Sequence, residues 1–189
     1  KNPLTPIQLT IDRLKNKYSN QLNKSDSDNF KDNLKIINNQ IKQIEKLVNE
    51  FSDFARMPKP IFVQNDLAHI INDNIELLRD LDNSIDIQFN KMSDQILLNS
   101  DKEQISRVFL NLIKNSIESI NQKTQNNTNF NKKITIELLQ DDNHISIIIV
   151  DNGIGFSLLK NNIKDILNPY FTTKENGTGL GLSIVNKIV

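Results

Sequence analysis

An α+β fold, with a helical hairpin ahead of a mixed sheet-and-helix domain, is predicted by three features of the sequence. Apolar residues recur at steps of three and four through the first fifty-odd positions. Pro58 and Pro60 then end that pattern. Beyond them, short runs with a period of two are interspersed with amphipathic stretches, without the regular strand–helix alternation of a parallel sheet. At 189 residues the chain has room for one sizeable domain plus a smaller helical element.

The helical part opens with Leu4, Ile7, Ile11, Leu14 and Tyr18. A polar break over Asn23-Lys24-Ser25-Asp26-Ser27-Asp28 separates it from a second and stronger pattern. There Phe30, Leu34, Ile37, Ile41, Ile44, Val48, Phe51 and Ala55 alternate steps of four and three, a heptad seam that needs other helices to cover it. The second helix would be roughly 40 Å long. Two antiparallel helices leave apolar surface uncovered. A second copy completing a dimeric four-helix bundle would bury it, and so would docking of the hairpin on its own domain.

In the mixed part, Ile61-Phe62-Val63 reads as a short strand and Leu67 to Leu81 as an amphipathic helix. Ser84 to Phe89 alternates with period two, and Gln95 to Leu98 is a further strand. Ser100-Asp101-Lys102-Glu103 has the form of a capping box, with Ser100 at the N-cap of a helix running to about Ile120. A polar loop follows over Asn121 to Asn131. Ile134 to Leu139 and Ile145 to Val150 then form an antiparallel pair around Asp141-Asp142-Asn143.

Composition narrows the function classes. With 23 basic and 23 acidic residues the formal net charge is zero, which argues against a polybasic surface for nucleic acid or membrane. The absence of cysteine excludes disulfides and thiolate metal sites and is compatible with a reducing compartment. His69 and His144 have unlike surroundings and read as structural residues rather than ligands. The longest strongly apolar run, Ile145 to Val150, is far short of the roughly 20 residues a membrane helix needs, and no signal peptide is read. The chain starts at Lys1 and stops in a helix-like run ending at Val189, so both ends look cut.

Candidate chemistry lies in the second part. On the helix from Asp101, Ile105, Val108, Phe109, Leu112, Ile113 and Ile117 form an apolar face. Gln104, Arg107, Asn111, Asn115 and Glu118 form a polar stripe, either a solvated face or one wall of a site. Asp151-Asn152-Gly153-Ile154-Gly155-Phe156 follows directly on the apolar strand. An aspartate there can accept a hydrogen bond from an exocyclic amine, and the glycines let backbone approach a flat ring; an ordinary turn has the same composition. Further on come Pro169-Tyr170-Phe171-Thr172-Thr173-Lys174 and Gly177-Thr178-Gly179-Leu180-Gly181-Leu182, the latter leading into the last helix. Glycines ahead of a helix expose backbone N–H groups to an anion. The spacing fits neither the P-loop nor the dinucleotide-binding pattern.

In order and spacing these segments resemble the N, G1, F and G2 boxes of sensor histidine kinases. Asn111-Leu112-Ile113-Lys114-Asn115 is similar to the N box, Asp151 to Gly155 to the G1 box, Phe171 to Lys174 to the F box, and Gly177 to Leu182 to the G2 box. Lys1-Asn2-Pro3-Leu4-Thr5-Pro6 resembles the tail of the phosphoacceptor box. Phe51-Ser52-Asp53-Phe54-Ala55-Arg56-Met57-Pro58-Lys59-Pro60 resembles the nitrogen-regulation (NtrY-like) subgroup.

The resemblance implies a dimerisation and phosphoacceptor hairpin over residues 1–57 and a Bergerat-type α/β sandwich binding ATP over residues 61–189. It also implies transfer of the γ-phosphoryl group of ATP to a histidine and then to a response-regulator aspartate. Asn115 would coordinate Mg²⁺ with Asn111 assisting, Asp151 would hold the adenine amino group, and Gly153 and Gly155 would shape its pocket. Phe171, Thr173, Lys174, Gly177, Thr178, Gly179, Leu180, Gly181 and Leu182 would belong to the nucleotide site and its lid. Asn111 and Lys174 would act in catalysis, and Asn2 stands at a position associated with phosphatase action. Implied partners are a second copy joined through residues 4–55 and a receiver domain, with the segment in the cytoplasm and off the membrane. The acceptor histidine would precede Lys1, and the family continues beyond the G2 helix into further strand. The sequence is therefore expected to lack autophosphorylation and to be incomplete at its C-terminal end. Two alternatives stand beside this reading. An ATP hydrolase of the same superfamily would want a Glu one turn before Asn115, where Asn111 is a poor base. A non-catalytic dimerisation and docking module would fit the heptads but not the four boxes.

Overall fold

Pro6 at the start of α1 (Thr5–Tyr18) supplies a pre-set φ where a backbone N–H is not needed. The next helix, α2 (Lys24–Ala55), is capped by Asn23, whose side chain accepts from the Asp26 N–H at 2.9 Å while its own amide donates to the Asp26 carboxylate at 2.8 Å. The polar run at 23–28, expected to be a break, is thus mostly the first turn of α2, where Asp26 also favours the positive end of the helix dipole. At 32 residues α2 is about 48 Å long. Ile11 of α1 packs with Leu34 and Ile41 of α2, joined by Leu4 and Phe30. The rest of the heptad seam stays open, with Ile37, Ile44, Val48 and Phe51 all exposed.

The computed structural model describes residues 4–19, 21–81, 83–124, 130–156, 163–174 and 177–189. The chain divides into two units: Lys1–Met57 with Lys174–Thr178, and Pro58–Thr173 with Gly179–Val189. Asn2 lies outside the described residues, as does part of the polar loop at 121–131. Among the described residues no helix is long and apolar enough to cross a membrane.

The second unit follows the order β1 (Val63–Asp66), α3 (Leu67–Leu81), β2 (Asp86–Lys91), β3 (Leu97–Ser100), α4 (Lys102–Thr124), β4 (Lys133–Gln140), β5 (Ile145–Asp151), a 3₁₀ turn (Ile163–Leu167) and α5 (Gly181–Ile188). β1 and β3 form a two-stranded antiparallel ribbon. The larger sheet runs β2-β4-β5, with β4 parallel to β2 and antiparallel to β5. The fold is α+β, as expected.

Alternation builds the core. In β4, Ile134, Ile136 and Leu138 are buried while Thr135 and Glu137 face the other side. Against that face pack Leu67, Ile71 and Ile75 of α3 and Phe109, Ile113 and Ile120 of α4, almost wholly removed from water. Each such side chain contributes about 1.5–3 kcal/mol of transfer free energy. Asn74, buried on α3, is satisfied by the Ile70 carbonyl at 2.7 Å and by Ser106 Oγ of α4 at 3.1 Å, which ties the two helices together.

The antiparallel pair around Asp141 is found where the sequence predicts it. Its turn is held by the Asp141 carboxylate, which accepts from the N–H groups of Asn143 and His144. Other boundaries move. The expected strand at 61–63 becomes β1 at 63–66, leaving Ile61 and Phe62 exposed, and β2 and β3 each lie two residues later than their apolar runs suggest. Pairing decides these limits: Val63 lies opposite Ser100 and Asp66 opposite Leu97.

Ser100 is correspondingly not the cap of α4. It is buried at the end of β3, and its carbonyl accepts from Asn65 Nδ2 at 2.7 Å. The cap is Asp101, with Oδ1 accepting from the Gln104 N–H at 3.0 Å and Oδ2 from the Ile61 N–H at 2.8 Å. These donors, Ile61 first and Gln104 next, hold the Asp101 carboxyl below its ordinary pKa.

Candidate functional site

On α4, Asn111, Asn115, Ser119 and Lys123 recur every four residues and so share one face. All four are half-buried. Asn111 Nδ2 donates to the Arg107 carbonyl at 2.9 Å, which turns Oδ1 toward the start of α5. A Cβ on Gly181 would stand 3.2 Å from that oxygen, so glycine lets the first turn of α5 come down on Asn111.

Further along the same face, α4 meets the turn that follows β5. Asp151 Oδ1 accepts twice, from the Gly153 N–H at 2.9 Å and from Ser119 Oγ at 3.2 Å. Among the described residues Oδ2 takes no hydrogen bond, so Asp151 presents one immobilised and one available acceptor. Gly153 is pressed against the helix: a Cβ there would lie 2.5 Å from the Ser119 carbonyl carbon and 2.7 Å from the Ile120 nitrogen. Gly155 differs, with φ +66° and, among the described residues, nothing within 4 Å of where a Cβ would stand. Asn152 anchors the turn to β4, its Oδ1 accepting from the Lys133 N–H at 3.0 Å and its Nδ2 donating to the Asn131 carbonyl at 2.7 Å. Lys123 completes the attachment by donating to the carbonyls of Asn152 and Gly153.

The last segment is gathered at its foot. The Tyr170 N–H donates to the Gly179 carbonyl at 3.0 Å. Gly179 has φ +70°, and a Cβ on it would meet the Phe171 nitrogen and Tyr170 Cα at 2.7 Å. Tyr170 itself adopts φ +69°, a conformation uncommon for a side chain of that size and typical of constrained sites. Leu180 is fully buried, Phe171 half-buried and Thr173 exposed. Lys174, Gly177 and Thr178 group with the helical unit, where Thr178 Oγ1 donates to the Glu50 carboxylate.

The residues singled out from sequence are therefore only partly assembled by direct contact. Asp151 and Gly153 meet α4, Gly181 meets Asn111, and Gly179 meets Tyr170. Asn115 lies between the two contact points on the stripe. His69 and His144 stand apart on the surface, each beside an aspartate, Asp73 and Asp141. Sequence reasoning missed Ser119 and Lys123, although their four-residue step from Asn111 and Asn115 was a usable signal. Among the described residues no cluster of three or more His, Asp or Glu could hold a metal unaided.

Two family models match the chain: the His Kinase A (phospho-acceptor) domain over residues 1–60, and the histidine kinase-, DNA gyrase B- and HSP90-like ATPase over residues 100–189. An NtrY-like sensor histidine kinase of Rickettsia felis is 35% identical over all of this chain, which spans 30% of that protein's length. The solved catalytic domain of the histidine kinase ThkA is 30% identical, with a TM-score of 0.54 over 68% of this chain and 80% of its own. ThkA solved in complex with the response regulator TrrA matches all of this chain and 50% of its own, at 26% identity and a TM-score of 0.64.

Proposed function

The chain belongs to the histidine kinase family, and on that premise we propose that its second unit binds ATP and supplies the γ-phosphoryl group to a histidine, for onward transfer to a response-regulator aspartate. The observation that carries this is Asp151. With Oδ1 locked by Gly153 and Ser119 and Oδ2 available, it is a preorganised acceptor for the exocyclic amine of adenine. Gly153, with no room for a side chain, keeps that acceptor against α4, and among the described residues nothing crowds the Cβ position of Gly155, where a flat ring could approach.

From that pocket the stripe leads through Asn115 to Asn111, next to the N-terminus of α5, where backbone N–H groups and the helix dipole favour phosphate. The donor chemistry suits Mg²⁺. Amide oxygens, with no metal-holding carboxylate cluster among the described residues, fit an ion that takes most of its shell from phosphate and water. Asn115 would hold it with Asn111 alongside, and the ion would neutralise charge developing on the phosphates. The chain's own contribution is positioning: the base at Asp151 and the phosphates at the start of α5.

The hydrolase alternative is disfavoured at Asn111. Its amide is not a base, and its nitrogen is already committed to the Arg107 carbonyl. Neither His69 nor His144 stands in an acceptor-box context, so neither is assigned the acceptor role. The exposed seam at Ile37, Ile44, Val48 and Phe51 supports a homodimer through residues 4–55, and the likeness to ThkA with TrrA supports a receiver domain as partner. We assign residues 1–57 to dimerisation and acceptor presentation, residues 61–189 to catalysis, and the whole to the cytoplasmic side, where ATP is available. Asn2 is assigned to the phosphatase reaction.

Calorimetric titration with a non-hydrolysable ATP analogue and Mg²⁺ tests the pocket. Saturable binding is expected, weakened by Asn115→Ala and by Asp151→Asn. A folded wild-type chain that binds nothing would sink the reading.

A further inference from the structure

Lys123 has no part in the site as read from sequence. Its ammonium Nζ donates to the Asn152 carbonyl at 2.7 Å and to the Gly153 carbonyl at 3.1 Å, and sits 4.8 Å from the centre of the Phe130 ring. Two successive carbonyl oxygens aimed at one point repel each other, and a cation at their focus stabilises that arrangement. The Asn152 carbonyl and the Gly153 N–H belong to the same planar peptide unit and point in opposite directions. One end of that plane is held by Lys123 and the other donates to Asp151 Oδ1 at 2.9 Å. Rotating the plane would break both bonds together. The orientation of the Asp151 carboxylate is thereby coupled to Lys123 through a rigid lever, with Phe130 keeping the lysine in place by cation–π attraction.

We propose that Lys123 is a positioning residue for base recognition. By fixing the 152–153 peptide it aims the available oxygen of Asp151 and so creates a preference for 6-amino over 6-oxo purine nucleotides. The inference rests on the reading of Asp151 as the acceptor for the base.

The test compares ADP with inosine 5′-diphosphate, titrated calorimetrically into the whole chain and its Lys123→Met and Lys123→Arg variants. Lys123→Met is expected to weaken ADP binding about tenfold while changing inosine diphosphate binding by less than about twofold. Arginine, which can donate to both carbonyls, is expected to restore most of the preference. A Lys123→Met chain that keeps its preference, or that loses both nucleotides equally, would overturn the proposal and make Lys123 a merely structural tie. If that variant does not fold, Lys123→Gln, which keeps N–H donors without charge, carries the same comparison. A wild-type chain that binds both nucleotides equally would instead remove the Asp151 reading, and the lever with it.

Discussion

Gly153→Ala is the sharpest perturbation of the site because the obstacle it meets is backbone. Carbon atoms normally approach to about 3.5–4.0 Å, whereas the new methyl would stand 2.5 Å from the Ser119 carbonyl carbon and 2.7 Å from the Ile120 nitrogen. The turn would have to withdraw from α4 by about 1 Å to restore ordinary contact. A shift of that size carries Lys123 Nζ beyond hydrogen-bond reach of the Asn152 carbonyl, now at 2.7 Å, and separates Ser119 Oγ from Asp151, now at 3.2 Å. Overpacking of this kind costs about 1–3 kcal/mol, read as a lower urea midpoint by circular dichroism. ADP affinity should fall by about tenfold or more, since the acceptor is no longer aimed. Adding Ser119→Ala should not rescue the variant, because it removes Oγ but leaves the clashing backbone. A Gly153→Ala chain with wild-type stability and affinity, or complete rescue by Ser119→Ala, would refute the reasoning.

Four further outcomes are expected. Gly179→Ala adds a methyl against Phe171 and Tyr170 to a left-handed residue, so the Tyr170 amide should exchange with solvent faster; unchanged exchange would contradict the strain. Ile41→Ala, in the buried contact between α1 and α2, should cost about 2–5 kcal/mol in urea unfolding. Ile44→Glu, on the exposed seam, should instead shift sedimentation toward the single-chain mass. The Asp101 carboxyl should titrate below its ordinary value of 3.8. Its depressed folded pKa makes its stabilisation complete above that value and lost as pH falls through the folded one. A carbon-detected NMR titration placing it at or above 3.8 would contradict the double acceptance from Ile61 and Gln104.

Periodicity was legible where one face is buried against a whole layer. The helix at 67–81 and the hairpin around Asp141 stand where the pattern puts them, since their apolar spacing has only one way to face the sheet. Strand limits at β1 and β3 were not legible, because they follow from cross-strand register rather than from apolar runs such as Ile61-Phe62. The capping motif misled for a related reason. Ser100 is needed opposite Val63, and the neighbouring Asp101 has two oxygens where serine has one. Glycine positions were readable since close approach and left-handed backbone admit few alternatives. Ser119 and Lys123 escaped notice because their value depends on the turn after β5 coming down on α4, a contact between distant parts of the chain. Nothing in its side chain marks Tyr170 for positive φ.

The bond between Tyr170 and Gly179 also bears on how this region can change over time. It joins the backbone on either side of positions 171–178. Doubling the length of such a loop adds only about 0.6 kcal/mol of closure entropy. In closure entropy alone a change of length between these ends is therefore cheap, whereas at Gly179 any side chain would meet the Tyr170–Phe171 backbone. Descendants of this sequence should keep glycine at 179 whatever length of chain comes to separate it from Tyr170.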